Sequence, residues 1–325
     1  MIRDVITLSE ERKTDLTVYR IEDNDEYQQG LKRPMVVICP GGGYVFLSKR
    51  EAEPIALRYL AAGFHAAVLH YGICEYAAAP GPLKDIAAAV ALLREHAVEW
   101  QIDPDWIYVS GFSAGGHVAC SLGVFWNNRE LLPEFDSEKI RPNGMILAYP
   151  VIDLTKSSSH LDLGIAPGAD PEKVEVWQKH PKIPIEKLLV FDSDEGRYFY
   201  DFNMAMNPFI FDGEYTGEQA AFYSLQNRVT PYTCPAFIWH CWDDGLILPE
   251  NSLELAQALK QNGVSAELHI YSGGGHGYAL SDYVTAGDRY QHYPYAADWM
   301  QHSIDWVLKQ TGYEESIRKK YLSGE

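Results

Sequence analysis

The sequence predicts an α/β protein: a mostly parallel β-sheet with helices on both faces and a cap-like insertion. Three observations carry this. Short apolar, β-rich runs alternate with segments of helical periodicity, most glycine-rich breaks fall just after those runs, and the rhythm lapses between residues 151 and about 233. Strands joined by helices pair in parallel, and a parallel sheet is covered on both faces.

Taken in order, the run at 35–39 (MVVIC) is apolar and β-branched and is broken by PGGGY. A helix-like segment from 51 to about 62 is closed by Gly63, and a strand follows at 65–71. Within 82–100, Ile86, Val90, Leu93, Ala97 and Trp100 recur at helical spacing and predict one buried face. Further strands are expected at 106–111, 144–150, 236–240 and 266–271. Residues 249–263 read as a helix, with proline at its start and glycine after its end. In such sheets ligands sit at the carboxyl ends of the strands.

A length of 325 residues allows one large domain or a domain with a cap. The division expected is a core from 1–150 and 233–325, with 151–232 as the insertion. A structureless loop of that size is improbable in a compact domain. The insertion is therefore read as a small, partly helical cap, with proline-rich turns at 180–187 and an aromatic stretch at 196–215. Those aromatics could equally pack on the sheet or form a homo-oligomer contact.

The formal net charge of −18 argues against nucleic-acid and anionic-membrane partners, which need a basic face. No run approaches the roughly 20 apolar residues of a membrane span. The first residues carry acidic side chains where a signal peptide has an apolar core. Five scattered cysteines without a Cys-x-x-Cys pair fit reduced thiols and a cytoplasmic protein.

Between the run at 106–111 and the next helix stands Gly111-Phe112-Ser113-Ala114-Gly115. Gly-x-Ser-x-Gly between strand and helix is a nucleophile elbow: a strained turn that projects the serine above the sheet, with glycines where side chains would collide. The following helix aims its N-terminal amides at negative charge forming beside the serine. A serine needs a base, and the base an orienting carboxylate, in the chain order serine, acid, histidine. Of eleven histidines, His276 lies in a glycine-rich loop (SGGGHGYAL) after the last expected strand. His269 and His240 lie in strands and read as core residues, and His117, one turn after Ser113, reads as structural. The acid should follow the run at 236–240, which offers Asp243 and Asp244; spacing alone does not choose between them. Backbone amides of Ala114, and of Gly42 and Gly43 after the first strand, are candidates to meet an oxyanion. The glycine run lacks the Lys-Ser/Thr of a P-loop and the Rossmann spacing, no cluster has zinc-ligand spacing, and no cofactor is expected.

With these residues in view, the chain resembles an α/β-hydrolase of the esterase/lipase type, nearest the acetylxylan-esterase-like carbohydrate esterases related to bifunctional feruloyl and acetyl xylan esterases. The matching stretches run from VVICPGGGYVFLSKREAEP through YVSGFSAGGHVA and AFIWHCWDDGLILPENS to HIYSGGGHGYAL. The resemblance implies Ser113, Asp244 and His276 as the catalytic set, the aspartate lying four residues after the histidine of the Trp-His pair. It also implies a short-chain, acetyl-type ester as substrate, with acetylated sugars as the candidate carriers. Two departures stand out: a longer segment before the aspartate strand, and Tyr71-Gly72 where similar enzymes often carry Tyr-Arg. The expected activity is a serine esterase. A longer-chain lipase or a serine peptidase on the same residues is the alternative, and a non-catalytic binding protein stands further off.

Overall fold

A computed structural model describes residues 1–23, 26, 30–156, 160–165, 189–193, 197–287 and 291–313. Its elements are, in chain order, β1 (Ile2–Ser9), β2 (Thr14–Arg20), β3 (Arg33–Cys39), α1 (Glu53–Ala61), β4 (His65–His70), α2 (Gly81–Glu95), β5 (Ile102–Phe112), α3 (Ala114–Phe125), α4 (Ser137–Ile140) and β6 (Gly144–Ala148). Then come β7 (His160–Ile165), β8 (Leu189–Asp192), β9 (Arg197–Asp201), α5 (Phe202–Ile210), α6 (Gly217–Tyr223), β10 (Ala236–Cys241), α7 (Glu250–Gln261), β11 (Ala266–Tyr271) and α8 (Trp299–Thr311).

Eight strands form one open sheet in the order β1-β2-β4-β3-β5-β6-β10-β11. From β4 to β11 every pairing is parallel, while β2 pairs antiparallel with both β1 and β4. All seven residues of β3 are buried, as a central parallel strand requires. Its side chains alternate between two cores. Met35, Val37 and Cys39 belong to the core that α2, α3 and α7 also enter, whereas Val36 and Ile38 belong to the one that α1 and α8 enter. The register places Cys39 beside Gly111, Phe112 beside Ala148, and Cys241 beside Tyr271. The loops after β3, β5, β6, β10 and β11 therefore leave the same edge of the sheet.

Each parallel strand and helix expected from periodicity is present within a few residues. The helical pattern from Ile86 to Trp100 keeps its buried face, but the helix ends at Glu95. Beyond it the chain turns back towards β5, with the Ile102 N–H bonded to the Ala97 carbonyl and His96 stacked on Trp100. The β1–β2 hairpin and α8 were not read from the sequence.

Within 151–232, β7, β9 and β8 form a separate three-stranded antiparallel sheet, followed by α5 and α6. The expectation named helix but no strands, because runs of four to six residues carry little period-2 signal. The proline-rich turns at 180–187 lie outside the described residues. The far end of the segment is tied to the core: Phe222 stacks on Phe125 of α3 at 5.8 Å, and the Leu225 N–H bonds the Ile152 carbonyl.

The Tyr-Gly departure has a local counterpart. A Cβ at Gly72 would lie 2.6 Å from Arg12 Nη2, so glycine leaves room for an arginine arriving from the β1–β2 turn. Arg12 grips buried Asp85 with two bonds, Nε to Oδ1 at 2.9 Å and Nη2 to Oδ2 at 2.8 Å, and also bonds the Tyr76 carbonyl.

Candidate active site

Ser113 sits between β5 and α3 with φ of 52° and ψ of −120°, a strained conformation for a residue with a side chain. A Cβ on Gly111 would lie 2.1 Å from the Gly115 carbonyl oxygen, and one on Gly115 would lie 2.1 Å from that of Cys39. The first glycine closes the elbow on itself. The second lets the end of β3 approach it.

Ser113 Oγ lies 2.8 Å from His276 Nε2, and His276 Nδ1 lies 2.7 Å from Asp244 Oδ2. An ionised carboxylate only accepts, so Nδ1 carries the proton and Nε2 accepts from the serine hydroxyl. Asp244 rather than Asp243 meets the histidine; Asp243 is exposed. Asp244 is fully buried and heavily bonded: Oδ1 accepts the N–H groups of Leu246 and Ile247, and Oδ2 also takes His240 Nε2 at 3.1 Å. Burial pushes the Asp244 pKa up, but the charge of His276 and the hydrogen bonds from His240 and His276 outweigh it and hold the carboxyl well below its usual range. For His276, burial pushes the pKa down, while the charge and hydrogen bond of Asp244, then the charge of Glu51, outweigh it and raise it above 6.5.

The loop after β3 turns tightly: the Gly42 carbonyl accepts the N–H groups of Val45 and Phe46. Gly42 has φ of +132°, and a Cβ there would lie 2.0 Å from the Phe46 carbonyl oxygen. Gly42 and Gly43 line the same cavity as Ser113 and His276, and Ala114 opens α3 directly after the serine. The cavity measures about 620 Å³ and has apolar walls from Val45, Phe46, Met206 and Leu246, with Glu51 beside them. Among the described residues, no group of three or more His, Cys, Asp or Glu side chains could hold a metal ion.

His240 is a core residue, as expected, His117 is buried, and His269, expected in the core, is partly exposed; the first two serve the site's frame. His240 Nε2 donates to Asp244 and to the Ile247 carbonyl, and Nδ1 accepts from Ser252. His117 Nε2 donates to the Tyr223 carbonyl at the end of α6, and Nδ1 accepts the Tyr44 hydroxyl. Burial pushes His117 down to about 4, against a smaller upward pull from the Tyr223 carbonyl. His269 pairs with Glu267 and stands apart from the site. The sequence reading missed Glu51, Tyr149, Met206 and Leu246. Glu51 alone had a signal, a carboxylate eight residues past the glycine run in SKREAEP.

The chain matches the BD-FAE family over residues 25–180 and the prolyl oligopeptidase family over 190–314. It is 28% identical over 260 residues to endo-1,4-beta-xylanase B of Butyrivibrio fibrisolvens, covering 79% of this chain and 34% of that protein. It is 25% identical over 260 residues to an acetylxylan esterase of Xylanibacter ruminicola, covering 78% and 43% respectively. The chain thus spans under half the length of these curated relatives. Among solved structures, the carboxylesterase Cest-2923 of Lactobacillus plantarum superposes with a TM-score of 0.72 at 27% identity, covering 96% of this chain and 98% of that one. The acetyl ester-xyloside bifunctional hydrolase of Caldicellulosiruptor lactoaceticus gives 0.68 at 26%, covering 95% and 97%.

The fold is that of the α/β-hydrolases. The chain is similar to carboxylesterases and to an acetylxylan esterase. No helix among the described residues is long and apolar enough to cross a membrane.

Proposed function

We propose that the protein hydrolyses short-chain carboxylic esters through an acyl-enzyme on Ser113. Ser113 Oγ attacks the ester carbonyl while His276 Nε2 takes the hydroxyl proton, and Asp244 holds the Nδ1–H tautomer and faces the imidazolium. The N–H groups of Gly42, Gly43 and Ala114 receive the oxyanion. Collapse of the tetrahedral adduct breaks the ester C–O bond, and His276 returns the proton to the departing alcohol. Water then repeats the sequence on the acyl-serine and releases the acid.

The observation that carries this reading is the 2.8 Å approach of Ser113 Oγ to His276 Nε2. Acetyl groups on sugars are the proposed substrates; the likeness to an acetylxylan esterase and to an acetyl ester-xyloside hydrolase supports this. Residues 151–232 act as a cap, a reading supported by Met206 of α5 reaching the cavity that holds Ser113. The five free cysteines, four of them buried, support a reducing, cytoplasmic setting.

A serine peptidase is the second reading, favoured by the prolyl oligopeptidase match over 190–314. Hydrolysis of p-nitrophenyl esters from acetate to octanoate, beside a panel of peptide substrates, separates the two. The esterase reading predicts a maximum at acetate. A maximum at octanoate would make the cap an acyl-binding lid, and peptide cleavage without ester turnover would overturn the reading.

A further inference from the structure

Glu51 lines the cavity beside Ser113 and His276, yet the reaction proposed above leaves it without a task. It is buried, 4% exposed, and its two oxygens reach in different directions. Oε2 accepts the Gly41 N–H at 2.9 Å, at the root of the loop that carries Gly42 and Gly43. Oε1 accepts the Tyr149 hydroxyl at 2.7 Å. The oxygen of Tyr149 in turn accepts the Ala279 N–H at 2.9 Å, three residues after His276. The Tyr149 ring meets the His276 imidazole edge-on, with centroids 4.9 Å apart. One carboxylate therefore ties the oxyanion loop to the loop that bears the base. The contact is close: a Cβ on Gly41 would lie 2.6 Å from Oε2 and 3.1 Å from Ser113 Cβ.

Two hydrogen bonds compensate Glu51, against four for Asp244, so its negative charge is the less neutralised of the two. In a partly dry site such a charge acts on any cation nearby. We propose that Glu51 is a positioning residue, which holds the oxyanion loop and the His276 loop in one frame through Tyr149 and places a second negative charge behind the imidazolium that forms during ester attack. Its charge also raises the His276 pKa, after the larger effects of burial and Asp244. Other charged or titratable groups around the His276 loop are Asp244, Tyr149, Tyr278, Asp243, Tyr293 and Cys241 near Gly273 to Gly275, Arg50, which donates to the Gly277 carbonyl, and Lys49 on the cavity wall.

The proposal rests on the esterase reading for its kinetic arm and not for its spectroscopic one. The experiment is an NMR titration of the His276 imidazole in the wild type and in Glu51→Gln, paired with pH profiles of kcat/KM on p-nitrophenyl acetate. In Glu51→Gln, His276 is expected to titrate at least about half a pH unit lower, with the acid limb of kcat/KM shifted by the same amount. A folded Glu51→Gln whose His276 titrates as in the wild type overturns the proposal. Should that variant not fold, Tyr149→Phe carries the test by keeping the charge and removing the bridge. It is expected to lose roughly tenfold in kcat with KM nearly held, from the loss of the two hydrogen bonds that the Tyr149 hydroxyl makes to Glu51 and Ala279; a wild-type kcat overturns the proposal. A wild type inactive on every ester would remove the esterase reading, and the titration would still decide the role of Glu51.

Discussion

His240 and His276 donate to the same oxygen of Asp244, at 3.1 Å and 2.7 Å. The two imidazoles hold that carboxylate from opposite elements, the end of β10 and the loop after β11. Because the other oxygen takes two backbone N–H groups, Asp244 has no freedom to turn.

Replacing Asp244 with Asn puts an amide where both histidines need an acceptor or meet a donor. In either flip one donor faces another, or the backbone N–H pair is lost. His276 is then free to adopt the wrong tautomer. On the proposed mechanism a fall in kcat of about 10⁴-fold is expected, as for the equivalent change in a Ser-His-Asp protease. Steady-state kinetics on p-nitrophenyl acetate read it, and a loss under tenfold would mean that Asp244 does not orient the base.

The pH profile should follow His276. Only the neutral imidazole can take the Ser113 proton, and its pKa is raised above 6.5. The acid limb of kcat/KM should therefore lie above pH 6.5, with activity lost as pH falls through the folded-state pKa. A limb near pH 5 would contradict the account.

Acid stability should depend on His65 and His117, both pushed down to about 4, chiefly by burial. The unfolded chain binds these protons near pH 6.5 while the folded chain does not, so each histidine's penalty is absent above 6.5 and grows as pH falls towards 4. The loss is roughly 3 kcal/mol per histidine across that window. His276, with its raised pKa, works the other way: its contribution is present below 6.5 and is lost as pH rises through the folded-state pKa. Urea midpoints measured from pH 7 to 4 should fall less steeply in His117→Gln than in the wild type. Equal slopes would show that His117 is not held neutral.

Arg12→Ala tests the arginine that fills the space at Gly72. It leaves Asp85, 4% exposed, with the Gly72 N–H as a remaining donor and no paired cation. A loss of about 3 kcal/mol is expected from stranding a buried carboxylate. Chemical denaturation measures it, and a change below 0.5 kcal/mol, on the order of a neutral surface substitution, would refute it.

The sheet was legible because its central strands are short, apolar and punctuated by glycine, as at 35–39 and 106–111. Ser113 and His276 were legible for the same reason, each in a glycine-rich break at a strand's carboxyl end. Asp244 was not separable from Asp243 by spacing, since the choice depends on which way a turn faces. The β1–β2 hairpin escaped because an edge hairpin with a half-exposed outer strand lacks the apolar density of the centre. Tyr149 escaped for a different reason. Its place beside His276 depends on the register between β6 and β10, which no local pattern encodes.

The most direct test is covalent labelling with diethyl p-nitrophenyl phosphate, followed by mass spectrometry of the intact chain and its peptides. The account predicts one diethylphosphoryl group per chain, on Ser113, with esterase activity lost in step and no labelling of Ser113→Ala. Labelling at another residue, or ester turnover undiminished in Ser113→Ala, would contradict it.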